Sequence, residues 1–258
     1  MMKFAVLQMQ AVAGDTAANL ARIERAAREA AAAGASLLAA PELAVTGYGA
    51  GEAIRTLAEP ADGELAGRLA AISAETGVAI VTGFAERDGE VIYNSALYVD
   101  GLGTRSVYRK SHLYGPYERS LFVPEQPAAH VIDHRGTRIG LLICYDVEFP
   151  ENVRRLAQAG VELVVAPTAL PVSDHDELIA RKMIPVRAFE NQIHVAYVNL
   201  CGSDALVSYA GLSVVAAPDG TLLAEGGRSD EALLVTEIDP AAYAESAAAN
   251  SYLADLRL

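Results

Sequence analysis

The feature that most narrows the fold is an alternation in which short apolar runs, bounded by turn residues, give way repeatedly to stretches with helical periodicity. Lys3 to Gln10 reads as a buried strand, and Asp15 or Thr16 can cap a helix that runs to Gly34, where glycine accepts a left-handed stop. Ser36 to Ala40 is a second apolar run. It ends in Pro41-Glu42 and leads through the glycine-rich loop Thr46 to Gly51 into a helix from Asp62 to Thr76. Val78 to Phe84, Val91 to Val99 and Thr104 to Arg109, joined by Asp88-Gly89 and Asp100-Gly101 turns, read as an antiparallel meander. Ala129 to Asp133 and Arg138 to Tyr145 flank a turn at Gly136, and Pro150 opens a helix. Leu163 to Pro167 and Ile193 to Leu200 are further strands; between them a helical stretch from Asp176 to Asn191 is expected to kink or break at Pro185. Tyr209 to Asp239 is strand-like, with a hairpin at Pro218-Asp219-Gly220, while Tyr252 to Leu258 carries no strong signal and is free to pack on a partner. Strands alternating with helices around a meander imply an α/β architecture: two mixed sheets packed face to face, with helices on both outer sides. No repeat, low-complexity run or linker divides the chain, so residues 1–258 are expected to form a single domain.

Composition removes several classes of function. A chain of 258 residues, 52% of them hydrophobic, can bury the core of one such domain. With 33 acidic against 20 basic residues the net charge is −13, which argues against nucleic acid and anionic membrane as partners but says nothing about which small molecule enters a pocket. The Ala-rich stretch Ala17 to Ala33 is interrupted by Arg22, Glu24, Arg25, Arg28 and Glu29, so it reads as a soluble helix and not a span. The N-terminus offers about six residues before its first polar break, too few for a signal sequence, and a reducing, cytoplasmic location is expected. Two cysteines, Cys144 and Cys201, are too few for a disulfide framework and read as free thiols. Asp174, His175, Asp176 and Glu177 cluster without a second histidine at helical spacing, so they read as the acidic first turn of a helix and no metal is expected. No Gly-x-Ser-x-Gly elbow occurs, and Gly47-x-Gly49-x-Gly51 lacks the spacing and lysine of a phosphate loop; no cofactor is expected either.

Three residues stand out chemically. Cys144 lies between a strand end and a proline-opened helix, where helix amides and a nearby lysine would lower its pKa; by itself it reads more readily as a small buried hydrophobe closing the run Ile139 to Ile143. Glu42 is the only charge near the end of its apolar run, placed to act as a general base or merely to cap the surface. Lys110 suits an oxyanion, or else is simply solvated beside Arg109. All three fall at the carboxyl ends of separate strands, where α/β architectures gather reacting side chains.

Taken together, Pro41-Glu42, Tyr108-Arg109-Lys110-Ser111-His112-Leu113 and Cys144-Tyr145-Asp146-Val147-Glu148-Phe149-Pro150-Glu151 resemble the three signatures of the nitrilase superfamily, in the same order. The resemblance continues through Ile92-Tyr93-Asn94-Ser95, Pro167-Thr168-Ala169 and Arg187-Ala188-Phe189-Glu190-Asn191-Gln192. It implies a four-layer αββα subunit that pairs into an αββα–αββα homodimer or a higher homo-oligomer. It also implies a thioester mechanism in which Cys144 is the nucleophile, Glu42 shuttles protons, and Lys110 with the backbone N–H of Tyr145 holds the oxyanion. Glu118 resembles the family's second glutamate, which positions substrate and the lysine, although on residues alone it is equally a surface partner of Arg119. Tyr145-Asp146 stands where nitrilases proper have Trp-Glu and is more similar to the amidase and omega-amidase branches. The stretch Leu142 to Ala157 and the ending Tyr252 to Arg257 are similar to 5-aminopentanamidases and related stereoselective amidases. The reaction this implies is hydrolysis of a small aliphatic carboxamide, ω-amino chains included, to a carboxylic acid and ammonia. Nitrile hydrolysis, omega-amidase action on a dicarboxylic monoamide, and a catalytically silent interaction scaffold are the alternatives. Leu170-Pro171 departs from a polar asparagine in similar proteins and is expected to reshape the acyl pocket. Tyr48, Tyr117 and Tyr145 are the candidate substrate-binding residues, with plain packing the other reading of Tyr48 and Tyr117.

Overall fold

The computed structural model describes residues 1–257. Its strands in chain order are β1 (Met2–Gln8), β2 (Leu37–Ala39), β3 (Ala79–Asp88), β4 (Val91–Val99), β5 (Arg105–Arg109), β6 (Val131–His134), β7 (Thr137–Leu141), β8 (Leu163–Thr168), β9 (His194–Asn199), β10 (Val214–Ala216), β11 (Leu222–Glu225) and β12 (Ala232–Ile238). Among the described residues they form two six-stranded sheets, ordered β12-β1-β2-β3-β4-β5 and β11-β10-β9-β8-β7-β6. Each has a parallel centre, β1-β2-β3 in one and β7-β8-β9 in the other, with antiparallel neighbours outside it.

Alternation along the strands explains the layering. Successive side chains of a strand point to opposite faces, and in β1 Phe4 and Val6 join the core between the sheets while Ala5 and Leu7 join a second cluster beneath helices. Leu37 and Ala39 against Leu38, and Ala79 and Val81 against Ile80, divide the same way. Both faces of the first sheet are therefore dry, which is why these strands read as unbroken apolar runs; each fully buried Leu or Ile contributes roughly 1.5–3 kcal/mol relative to exposure. Helices Thr16–Ala32 and Glu64–Thr76 supply Leu20, Ile23, Leu65 and Leu69 to the outer cluster, and Asp15 caps the first by accepting from the Ala18 N–H at 2.9 Å. Helices Pro150–Gln158 and Ile184–Phe189 contribute Val153, Leu156, Ile184 and Ala188 to the cluster around the second sheet. The expected four-layer αββα subunit is what forms.

Three local expectations change. The helix does not break at Pro185: the backbone stays helical from Leu178 to Glu190, and a wide π turn, Ile179–Met183, lies just upstream. There it accommodates the missing proline N–H and the ring's demand on the preceding turn. The strand expected to reach Tyr145 stops at Leu141, because Cys144–Glu148 winds into a 3-10 turn. The strand-like tail is divided: β10 and β11 form the expected hairpin on β9, but β12 crosses to the other sheet and pairs with β1 along its whole length. Tyr252–Asp255 of the final segment is a short helix, with Leu253 packed against the cluster around the second sheet and Leu258 outside the described residues.

Candidate active site

Strand direction brings the site together. β4 runs against β3 and β5 against β4, so β5 points the same way as the parallel β2, and the residues leaving both strands emerge at one end of the first sheet. Glu42 follows β2, Lys110 follows β5, and Cys144 follows β7 of the second sheet. Gly83 of β3 lets the Glu42 loop sit tight on the sheet, since a Cβ there would collide with the backbone of Glu42 and Leu43. Cys144 has φ +46° and Leu43 φ +48°, sparsely populated backbone for such residues and a form of strain that clusters at functional sites.

Glu42, Lys110 and Glu118 are fully buried, and Cys144 is 7% exposed. Lys110 Nζ donates to Glu42 Oε1 at 2.6 Å and to Glu118 Oε1 at 2.7 Å, so one ammonium bridges two carboxylates. Asn94 Nδ2 donates to the same Glu42 oxygen at 2.7 Å. Glu118 also accepts from the Tyr48 hydroxyl at 2.9 Å and, through Oε2, from the Tyr114 N–H at 2.9 Å. Of the two glutamates' oxygens, only Glu42 Oε2 is left buried without a hydrogen bond among the described residues. Its lone pairs are the free basic sites of the cluster. Burial raises the Glu42 carboxyl, with Lys110 pulling the other way and Glu118 adding to the rise. The two carboxylates outweigh the desolvation of Lys110 and keep it charged.

The expected depression of the Cys144 pKa is not found. Burial pushes the thiol up, the charges of Glu42 and Glu118 push it further, and Lys110 only partly opposes them. Physically, the lysine's charge is already shared between two glutamates, and the cysteine opens a five-residue 3-10 turn in place of a long helix with its dipole. The resting group is a thiol that feels the charge of Glu42, although no hydrogen bond joins the two among the described residues.

A second cluster ties the cysteine and lysine loops together. Asp146 is fully buried; Oδ1 accepts from the N–H groups of Ser111 and His112 at 3.2 and 2.8 Å and from Ser111 Oγ at 2.8 Å, while Oδ2 accepts from the Ile143 N–H at 3.2 Å and the Tyr108 hydroxyl at 2.9 Å. Arg187 donates to the carbonyls of Val147 and Glu148 at 3.0 and 2.7 Å, holding the turn from below. Sequence reasoning did not single out Asn94, Asp146 or Arg187 individually; each stands inside a motif quoted above, but nothing local names its partner.

Of the tyrosines, Tyr48 and Tyr145 line the cavity over Cys144 with Tyr114, Glu148, Leu170 and Ile179. Tyr117 lies farther out: its hydroxyl donates to the Tyr48 carbonyl at 2.6 Å and accepts from the Gly51 N–H at 3.1 Å, bracing the glycine-rich loop, while its ring lines an outer apolar hollow with Leu206 and Val207. His175 borders the inner cavity, whereas Asp176 and Glu177 pair with Arg228, and Arg119 is not the partner of Glu118. Among the described residues no group of three or more His, Cys, Asp or Glu side chains is arranged to hold a metal ion.

The chain and its fold match known proteins. The sequence model of the family described as Carbon-nitrogen hydrolase covers residues 3–248, and the chain belongs to that family. It is 44% identical over 247 residues to a hydrolase of Pseudomonas protegens, covering 94% of this chain and 85% of that one. To an (R)-stereoselective amidase of a Pseudomonas species it is 39% identical over 259 residues, covering 100% and 92%. Among solved structures it resembles the amidase from Nesterenkonia sp. AN1: a variant with acrylamide added to the active-site cysteine superposes with TM-score 0.88 at 35% identity, over 100% of this chain and 97% of that one. A second variant of that amidase is complexed with butyramide, at TM-score 0.87, 35% identity and 99% and 94% coverage.

Proposed function

We propose that the whole chain acts as one amidase unit, hydrolysing a short aliphatic carboxamide to its carboxylic acid and ammonia through a thioester on Cys144. The observation that carries this reading is the buried relay Glu42–Lys110–Glu118 with Glu42 Oε2 unpaired. Glu42 takes the thiol proton as Sγ attacks the amide carbon, and passes it to the nitrogen as the C–N bond breaks and ammonia leaves. A water then attacks the thioester, again giving its proton to Glu42, and the acid departs with the thiol restored. Lys110 and the N–H of Tyr145, one of the leading amides of the 3-10 turn that lack an acceptor within it, stabilise the oxyanion in both steps. Glu118 fixes the ammonium from the other side, and Tyr48 secures Glu118.

The cavity supports a small acyl group: its walls include Leu170, Pro171, Ala169 and tyrosine rings, and its volume is about 260 Å³. The butyramide complex of the Nesterenkonia amidase supports the same size class. Assembly as a homodimer and a cytoplasmic location complete the reading; no described helix is long and apolar enough to cross a membrane. Ammonia release from a panel of short amides and the matching nitriles tests the class. Turnover of amides that disappears in Cys144→Ala is the expected result, and turnover of nitriles alone would move the protein to a different reaction.

A further inference from the structure

Two carboxylates face the cavity over Cys144, and they differ in a way the relay does not explain. Glu118 is saturated by Lys110, Tyr48 and the Tyr114 N–H. Glu148 sits at the end of the 3-10 turn that Cys144 begins, and its carboxylate makes no hydrogen bond or ion pair among the described residues. Its backbone is anchored, because Arg187 Nη2 holds its carbonyl at 2.7 Å. The guanidinium is occupied elsewhere, with Nε on the Val147 carbonyl and Nη1 on Glu190 at 2.9 Å. Lys110 is likewise committed, to Glu42 and Glu118. Among the described residues no lysine or arginine lines the cavity; besides Cys144 its other titratable walls are His175 and the rings of Tyr48, Tyr114 and Tyr145.

A half-buried carboxylate without a partner is costly, and burial accordingly pushes the Glu148 carboxyl up despite the nearby charges of Lys110 and Arg187. A cation entering the cavity would relieve that cost through a charge-assisted hydrogen bond, and aromatic faces beside it favour an ammonium over water. A second carboxylate would meet like charge. The same cavity offers apolar wall to methylene groups in Leu170, Ala169 and Ile179.

We propose that Glu148 is the subsite for a positively charged amino group at the far end of the acyl chain, so that the preferred substrates are short ω-amino carboxamides. This rests on the amidase reading above and adds to it the chemistry of the chain and the side chain that reads it. Glu148 is a specificity-determining residue that takes no part in bond making.

The experiment compares three amides of similar length: ω-aminopentanamide, its neutral isostere hexanamide, and the monoamide of glutaric acid. In the wild type kcat/KM for the ω-amino amide is expected to exceed that for hexanamide at least tenfold, and Glu148→Gln is expected to bring that ratio close to one. Glu148→Arg is expected to turn the preference toward the glutaric monoamide. A ratio that Glu148→Gln leaves unchanged, or a wild type that favours the neutral or acidic amide, overturns the proposal. If no amide is hydrolysed, the amidase reading has failed, and the subsite is then decided by binding alone. Calorimetric titration of Cys144→Ala with ω-aminopentanamide and hexanamide should show a preference for the cation that vanishes in Cys144→Ala/Glu148→Gln. Equal affinities in both proteins reject the subsite.

Discussion

Glu42 is the residue on which the chemistry turns. Its Oε1 is held by Lys110 and Asn94 while Oε2 is free, so replacing it by glutamine keeps the volume and removes the base. Glu42→Gln is expected to lower kcat by about 10²–10⁴, the range for a positioned general base, as measured by ammonia release. Because the Glu42 carboxyl is raised and works only when ionised, the acid limb of the kcat/KM profile should lie above the ordinary carboxylate value of 4.5, and the reaction should fail as pH drops through it. Thiol labelling separates the two cysteines. Cys201 is buried with its thiol pushed up to about 11, by burial and then by the charges of Glu231 and Asp230, and has no assisting carboxylate in the relay. Near neutral pH an amide-like electrophile such as acrylamide should label Cys144 ahead of Cys201. Equal labelling in the unmodified protein would remove the case for an assisted nucleophile.

At the scale of elements, the Cys144 turn and the Lys110 loop are joined by Asp146. Asp146→Ala would orphan the buried N–H groups of Ser111 and Ile143, at a cost of roughly 3 kcal/mol or more, read as a lower urea midpoint. A second inter-element contact makes stability pH-dependent. His134, at the end of β6, shares a hydrogen with the Tyr98 hydroxyl of β4 at 2.9 Å, and its Nε2 lies 3.2 Å from Ser36 Oγ, so it joins the two sheets. Burial, with Arg135 adding to it, depresses its pKa from 6.5 to about 4. Between those values the unfolded chain binds a proton that the folded chain refuses, so this contribution to stability is intact above pH 6.5 and declines as pH falls toward 4. Urea midpoints across that window should fall less steeply for His134→Gln than for the wild type. These contacts also show what a sequence conveys. The strand ends that carry Glu42, Lys110 and Cys144 are legible because apolar runs stop there and chemistry-bearing residues follow. Asp146 and Asn94 are not, because their worth comes from partners 35 and 52 residues away that no local pattern pairs with them. The state of Cys144 departs from its sequence expectation for a related reason: a lysine nearby lowers a thiol pKa only if its charge is not already taken.

For the molecule as a whole, the sheets unite the two halves of the reaction, since the base and the oxyanion lysine leave one sheet and the nucleophile leaves the other. Loss of inter-sheet packing should therefore disable catalysis before it unfolds the layers. β12 closes the first sheet from the far end of the sequence, a pairing that periodicity could not assign because an apolar run does not say which sheet it joins. Assembly belongs to this scale too: light scattering of the purified protein is expected to give twice the 27.1 kDa chain mass or a larger even multiple, and a monomer mass would refute the dimer. The most direct test of the central claim is intact-mass analysis of the wild type and Glu42→Gln, acid-quenched during turnover of butyramide and followed by peptide mapping. The account predicts an acyl adduct on Cys144 in the wild type, weak or absent in Glu42→Gln. An adduct on Cys201, or undiminished butyramide hydrolysis by Cys144→Ala, would contradict it.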